Sequence, residues 1–223
     1  MMKSAVIFDM DGTLIDSMGI YEQVKYEVVE DMGINLSPEQ KATLEKVSHW
    51  EFPNVFNEIC DEKLDENTFF HIVNTRVRDS YRRGFPLKKG LLRFLDYLDE
   101  KNIKYCIATA SKNINAISAF THLDMLDRFE FVITTSDVDR AKRYPTIYKE
   151  LAIMMKKKLS DCFVFEDALY AVKSAKKGGF KVVGIADRYF EQNKEEIKEI
   201  ADYYIEDYDD LMDQIEAGTI VFD

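Results

Sequence analysis

Histidine, cysteine and long apolar runs are all scarce in this chain of 223 residues, and basic residues are outnumbered by acidic ones. No stretch approaches the ~20 apolar residues that a membrane-spanning helix needs. The opening run "AVIF" is too short for a secretory leader and ends in acid, so no signal peptide is expected. The three cysteines, Cys60, Cys106 and Cys162, lack metal-ligand spacing. Cys106 and Cys162 lie inside apolar runs and read as small core residues, a usage that suits a reducing, cytoplasmic setting. Lys and Arg total 30 against 41 Asp and Glu, a net charge of −11. That surplus of acid argues against nucleic acid or an anionic membrane as the main partner, while leaving room for a local basic pocket. No internal repeat or low-complexity segment is found.

The chain has a normal hydrophobic fraction of 46%, arranged in two textures. The first is a series of short, β-branched-rich apolar runs: "SAVIFD" (4–9), "KYCIAT" (104–109), "FEFVIT" (129–134), "DCFVFED" (161–167) and "KVVGIA" (181–186). Near-continuous apolar character predicts strands of a parallel sheet covered on both faces. Helical patterns over 88–101, 111–120, 145–157 and 168–177 separate them, and strands alternating with helices predict an α/β, Rossmann-like doubly wound parallel sheet. The second texture, residues 17–85, has no convincing strand. It predicts a small all-helical insert after the first strand, with Ser37, Pro38 and Gln40 forming a helix start. The expected division is therefore a core of 1–16 and 86–223 and a helical insert of 17–85. Asp16 and Ser17 are expected to form the hinge and cap the first insert helix. The final "GTIVFD" reads equally as a docked strand or a tail.

The stretch "AVIFDMDGT" ends a buried strand in two acids, Asp9 and Asp11, which share a side of an extended chain. In open α/β sheets ligands gather beyond the carboxyl ends of the strands. Other polar residues fall at the same level: Thr109 ends the second strand, with Ala110 and Ser111 leading into a helix start whose free N–H groups suit an anion. Lys142 follows the third strand, and Glu166 and Asp167 end the fourth. Four carboxylates in one crevice demand a cation. Hard oxygen ligands without His or Cys favour Mg²⁺ over zinc or copper. Mg²⁺ and Lys142 together would accept a phosphate group. The sum still leans negative, so one carboxyl is expected to keep its proton, Asp11 being the natural donor to a leaving alcohol.

This set of motifs, with DxDGT first and "ED" after the fourth strand, resembles the haloacid dehalogenase-like (HAD) superfamily. The helical insert resembles the cap of its β-phosphoglucomutase-like phosphatases. The resemblance implies that Asp9 is a nucleophile forming an aspartyl phosphate and that Asp11 is a general acid and base. It implies that Thr109 and the Ala110 N–H hold phosphoryl oxygens, and it selects Lys142 over Arg140 or Arg143 as the neutralising cation. Mg²⁺ would sit on the Asp9 side chain, the Asp11 carbonyl and Asp167, with Glu166 nearby. Gly12 would let the chain turn, and the Thr13 hydroxyl would tie that turn.

Where β-phosphoglucomutases carry Lys-Gly-Val-Ser-Arg, this chain has "EKVSHW", with His49 in place of the phosphate-gripping arginine. Tyr21 occupies the position of the histidine linked to mutase gating. Both departures favour a hydrolase of a small phosphomonoester, a sugar phosphate being one example, over a phosphomutase. A non-catalytic binding protein is disfavoured because neither the nucleophile nor a metal ligand is lost. His49 and Trp50 are candidate substrate contacts from the insert, although Trp50 would equally anchor insert helices. A monomer is expected, since an insert that covers its own site needs no partner.

Overall fold

Residues Ala5–Phe8 form β1 because four apolar side chains in a row can be buried only where both faces of a strand are covered. All four are fully buried. The computed structural model describes residues 4–47 and 51–222, and its backbone divides into two compact units, 1–17 with 84–223, and 18–83.

In the first unit, β1 is central. It pairs in parallel with β2 (Lys104–Thr109) on one side and β4 (Cys162–Glu166) on the other. The six-stranded order is β3-β2-β1-β4-β5-β6, with β3 at Val132–Thr134, β5 at Lys181–Ile185 and β6 at Tyr203–Ile205. Every pair is parallel. The chain winds outward from β1 in one direction, then returns and winds outward in the other, so the switch point lies between β1 and β4, where such sheets open a crevice.

The two faces carry different cores, as the two-residue period of a strand requires. On one, Ala5, Ile7, Cys106 and Val164 pack against Tyr148, Leu151, Val172, Ala175 and Phe180. On the other, the Phe8 ring meets Phe165 at 5.0 Å, Phe94 at 6.1 Å, Tyr105 at 6.2 Å and Tyr208 at 6.3 Å. The covering helices are α5 (Leu91–Glu100), α6 (Asn113–His122), α7 (Thr146–Met154), α8 (Leu169–Gly178), α9 (Lys194–Ile200) and α10 (Tyr208–Glu216). β6 falls in "DYYIED", which the sequence reading passes over. Its three residues are half-buried at best except Ile205, too short and too acidic a run to stand out. The described part of the "GTIVFD" segment, 218–222, is a docked tail: Phe222, without strand pairing, lies 4.4 Å from Phe163 and 5.5 Å from Phe94.

The second unit holds α1 (Ile20–Asp31), α2 (Pro38–Leu44), α3 (Phe52–Ile59) and α4 (Glu66–Arg83). Ser37 and Gln40 close a reciprocal capping box on α2. Its core stacks Phe52 on Phe69 at 5.4 Å. Lys25 is fully buried there, donating to Val47 O at 3.0 Å and pairing with Glu22, an ammonium that ties α1 to the end of α2. Glu45–Val47 form a turn after α2 rather than its last residues, because the helix ends at Leu44. Ser17 does not cap α1: the cap position is Gly19, with no side-chain hydrogen bond. Gly84, where the chain re-enters the first unit, has φ +86°, and a Cβ there would lie 2.4 Å from the His122 ring, so glycine is required. No helix among the described residues is long and apolar enough to cross a membrane.

Replacing Phe8 by Ala removes the ring on which four aromatic side chains converge and is expected to cost roughly 3–5 kcal/mol. Urea unfolding checks this; a loss under 1 kcal/mol would show that the aromatic face does not hold the sheet.

Candidate active site

The site begins where β1 runs out. Asp9 N–H still donates to Phe165 O at 3.0 Å, so the last pairing of β1 with β4 fixes where the Asp9 side chain stands. The chain then turns tightly: Leu14 N–H reaches Met10 O at 2.8 Å, Gly12 N–H reaches Ile15 O at 2.9 Å, and Gly12 takes φ 82°, a left-handed value that side chains disfavour. The turn is tied at both ends. Thr13 Oγ1 donates to Asp167 Oδ1 at 2.9 Å, and Tyr208 donates to Thr13 O at 3.1 Å.

Three carboxylates meet there. Asp9, Glu166 and Asp167 are all buried and each offers an oxygen within 4.8 Å of the others. Lys142, ahead of α7 and itself buried, places its ammonium between Asp9 Oδ1 and Glu166 Oε1, the latter at 2.5 Å. Glu166 Oε1 also accepts from the Tyr148 hydroxyl at 2.6 Å. Burial pushes the Asp9 carboxyl up to about 8, with Lys142 pulling it down and Glu166 and Asp11 adding to the rise. Burial likewise raises Asp167 well above the carboxylate range, with the charges of Asp9 and Glu166 contributing. For Lys142 burial works against the charge, but Asp9 and Glu166 overcome it and hold the ammonium above an ordinary lysine. Burial and Glu166 raise the Tyr148 phenol in the same way.

Asp167 Oδ2 is buried and has no hydrogen-bond partner among the described residues. An orphaned carboxylate oxygen beside two more carboxylates and a single ammonium is the donor set of a hard divalent cation. These residues therefore fit Mg²⁺.

The remaining sequence candidates fall as follows. Asp11 is half-buried, and its side chain stands outside the three-carboxylate group. It accepts from Ser17 Oγ at 2.5 Å and from Ser111 Oγ at 2.6 Å, one hydroxyl on each oxygen. The burial-driven rise falls on Asp9 and Asp167. Thr109 is buried at the tip of β2, where its hydroxyl accepts from Ser111 N–H at 2.9 Å and keeps its own hydrogen to donate. Ala110 is exposed beside it. Helix α6 starts at Asn113, two residues later than the pattern suggests, because Lys112 has an extended backbone (φ −62°, ψ 142°) and serves as the cap position. His49 and Trp50 lie outside the described residues. Tyr148 and Ser17 are contacts that sequence reasoning missed. Tyr148 reads as a core aromatic, and the only signal is a hydroxyl on a helix face otherwise made of Ile147, Leu151 and Ala152.

The chain belongs to the haloacid dehalogenase-like hydrolase family, whose model matches residues 6–185. It is 27% identical over 177 residues to the phosphorylated carbohydrates phosphatase of Thermotoga maritima, covering 79% of this chain and 82% of that one. It is 25% identical over 199 residues to the beta-phosphoglucomutase of Bacillus subtilis, covering 81% and 82%. The crystal structure of a beta-phosphoglucomutase candidate from Thermotoga maritima shares the fold with a TM-score of 0.82 at 23% identity, over 96% of this chain and 99% of that one.

A carboxyl whose pKa rises on folding, here from 3.8 to about 8, contributes stability that is whole below about 4 and is lost as pH climbs through about 8. The metal-free protein is thus expected to lose stability over that window, and Asp9→Asn to flatten the loss. Thermal unfolding in chelator at successive pH values measures it; an unchanged slope in the variant would contradict the burial of Asp9.

Proposed function

We propose that the protein is a Mg²⁺-dependent phosphatase that hydrolyses a small phosphomonoester through an aspartyl phosphate on Asp9. The observation that carries the reading is the convergence of Asp9, Glu166 and Asp167 around an orphaned oxygen, with Lys142 bridging the first two. Asp9, Glu166 and Asp167 would hold Mg²⁺, with the Asp11 carbonyl as a further ligand. The bound cation supplies positive charge against the phosphoryl oxygens and lets the carboxylates stay ionised at neutral pH. Lys142 orients Asp9 and offsets the incoming charge. Asp9 attacks phosphorus as the bond to the leaving oxygen breaks, and Asp11 gives that oxygen its proton. Asp11 then takes a proton from water, which displaces Asp9 and frees inorganic phosphate. Thr109 donates to a phosphoryl oxygen, and Ala110 N–H joins it. Such a reaction asks the protein mainly for position and charge.

The helical unit, 18–83, is assigned the part of a cap that selects the leaving group. Two features of the sequence favour water over a second hydroxyl as the final acceptor: Tyr21 stands where a mutase has its gating histidine, and His49 replaces a phosphate-gripping arginine. The carbohydrate phosphates named for the Thermotoga maritima relative are the first substrates to try.

Two experiments test this. With an aryl phosphate and Mg²⁺, turnover is expected, falling at least ~10³-fold in Asp9→Asn without loss of fold; residual turnover near that of the parent would remove Asp9 as nucleophile. With a hexose 1-phosphate and a bisphosphate primer, free phosphate is expected as the product. Conversion to the 6-phosphate without phosphate release would make the protein a mutase. In both assays chelation should stop the reaction, and activity in chelator would exclude the cation.

A further inference from the structure

Tyr148 sits on α7, six residues after Lys142, and is fully buried. Its ring lies under the Lys142 ammonium, 5.6 Å from ring centroid to nitrogen, and packs edge-on against Phe180 at 5.9 Å. Phenylalanine would fill the same space without taking a hydroxyl out of water, a transfer that costs free energy unless an acceptor is waiting. The acceptor is Glu166 Oε1, at 2.6 Å. That same oxygen faces Lys142 at 2.5 Å. A carboxylate oxygen has two lone pairs, so both are used, and the carboxylate cannot turn without breaking one bond.

We propose that Tyr148 is a positioning residue: its hydroxyl occupies Glu166 Oε1, which keeps Lys142 shared with Asp9 and reserves the second Glu166 oxygen for the divalent cation. This inference rests on the phosphatase reading above. Removing the hydroxyl leaves Lys142 as the one donor to Oε1. The ammonium is then drawn from Asp9 toward Glu166, and the carboxylate is free to rotate. Metal affinity and the phosphoryl step suffer together, while the contacts that bind the leaving group stay intact. Partners in this outer layer of a metal site commonly set affinity by ~10- to 100-fold.

The test uses Tyr148→Phe, which removes one oxygen and keeps the ring, and 3-fluorotyrosine at the same position, which keeps the hydroxyl. Calorimetric titration with Mg²⁺ alone, without substrate, is expected to show the Phe variant binding at least ~10-fold more weakly than the parent. The fluorotyrosine protein should bind within about threefold of the parent. In the aryl phosphate assay at saturating Mg²⁺, the Phe variant should lose kcat with KM nearly unchanged. A Phe variant that binds Mg²⁺ and turns over like the parent overturns the proposal. So does a loss of affinity that the fluorotyrosine protein shares, since that would mark a packing effect. A parent that takes up no Mg²⁺ would instead sink the phosphatase reading, and this inference with it.

Discussion

The rest of the structure depends on an unbalanced charge. Asp9, Glu166 and Asp167 are buried together against one ammonium, Lys142. Two unit charges ~4 Å apart interact by about 4 kcal/mol even at an effective dielectric constant of 20. Three anions and one cation therefore cannot all stay ionised without help. Either protons fill the gap, in keeping with the rise of the Asp9 and Asp167 carboxyls, which burial drives and the neighbouring carboxylates add to, or a divalent cation does. A fold that keeps such a cluster at the tips of its central strands is storing a demand for positive charge where a phosphate would bring more negative charge.

What meets that demand is geometry set far from the acids themselves. The central place of β1 between β2 and β4 puts Asp9, Thr109 and Glu166 at one end of one sheet. The turn after Asp9 is clamped by Thr13 on Asp167 and by Tyr208 on Thr13, so the segments that follow β1 and β4 are joined by hydrogen bonds as well as by the sheet. Asp11, one turn further on, is held apart by the hydroxyls of Ser17 and Ser111. The two aspartates thus differ: Asp9 is buried against a cation, and Asp11 is half-buried and accepts from two hydroxyls. A reaction with one carboxylate as nucleophile and another as proton carrier needs that difference.

Much of this could be read before any coordinates, because the strongest signals were chemical. Four apolar runs ending in Asp, Thr or Glu-Asp, separated by helical patterns, point to a parallel sheet with a polar end, and the sheet has that form. The readings that failed were ones that tertiary packing decides. Ser17 looks like a helix cap, yet its hydroxyl has a better acceptor in Asp11 and α1 starts beyond Gly19. α6 looks as if it begins at Ser111, but the backbone is still extended at Lys112. β6 hides among acids because an edge strand needs few apolar residues. Tyr148 could not be told from a core phenylalanine until its hydroxyl had an address.

The most direct measurement of the central claim is chemical trapping of the intermediate. The enzyme is mixed with an aryl phosphate and Mg²⁺, quenched in acid during turnover and reduced with borohydride, which converts an aspartyl phosphate to homoserine; peptide mass mapping then finds the site. The account predicts homoserine at position 9, dependent on both substrate and cation. Turnover that continues while Asp9 stays unmodified and the label appears at another carboxyl would contradict it.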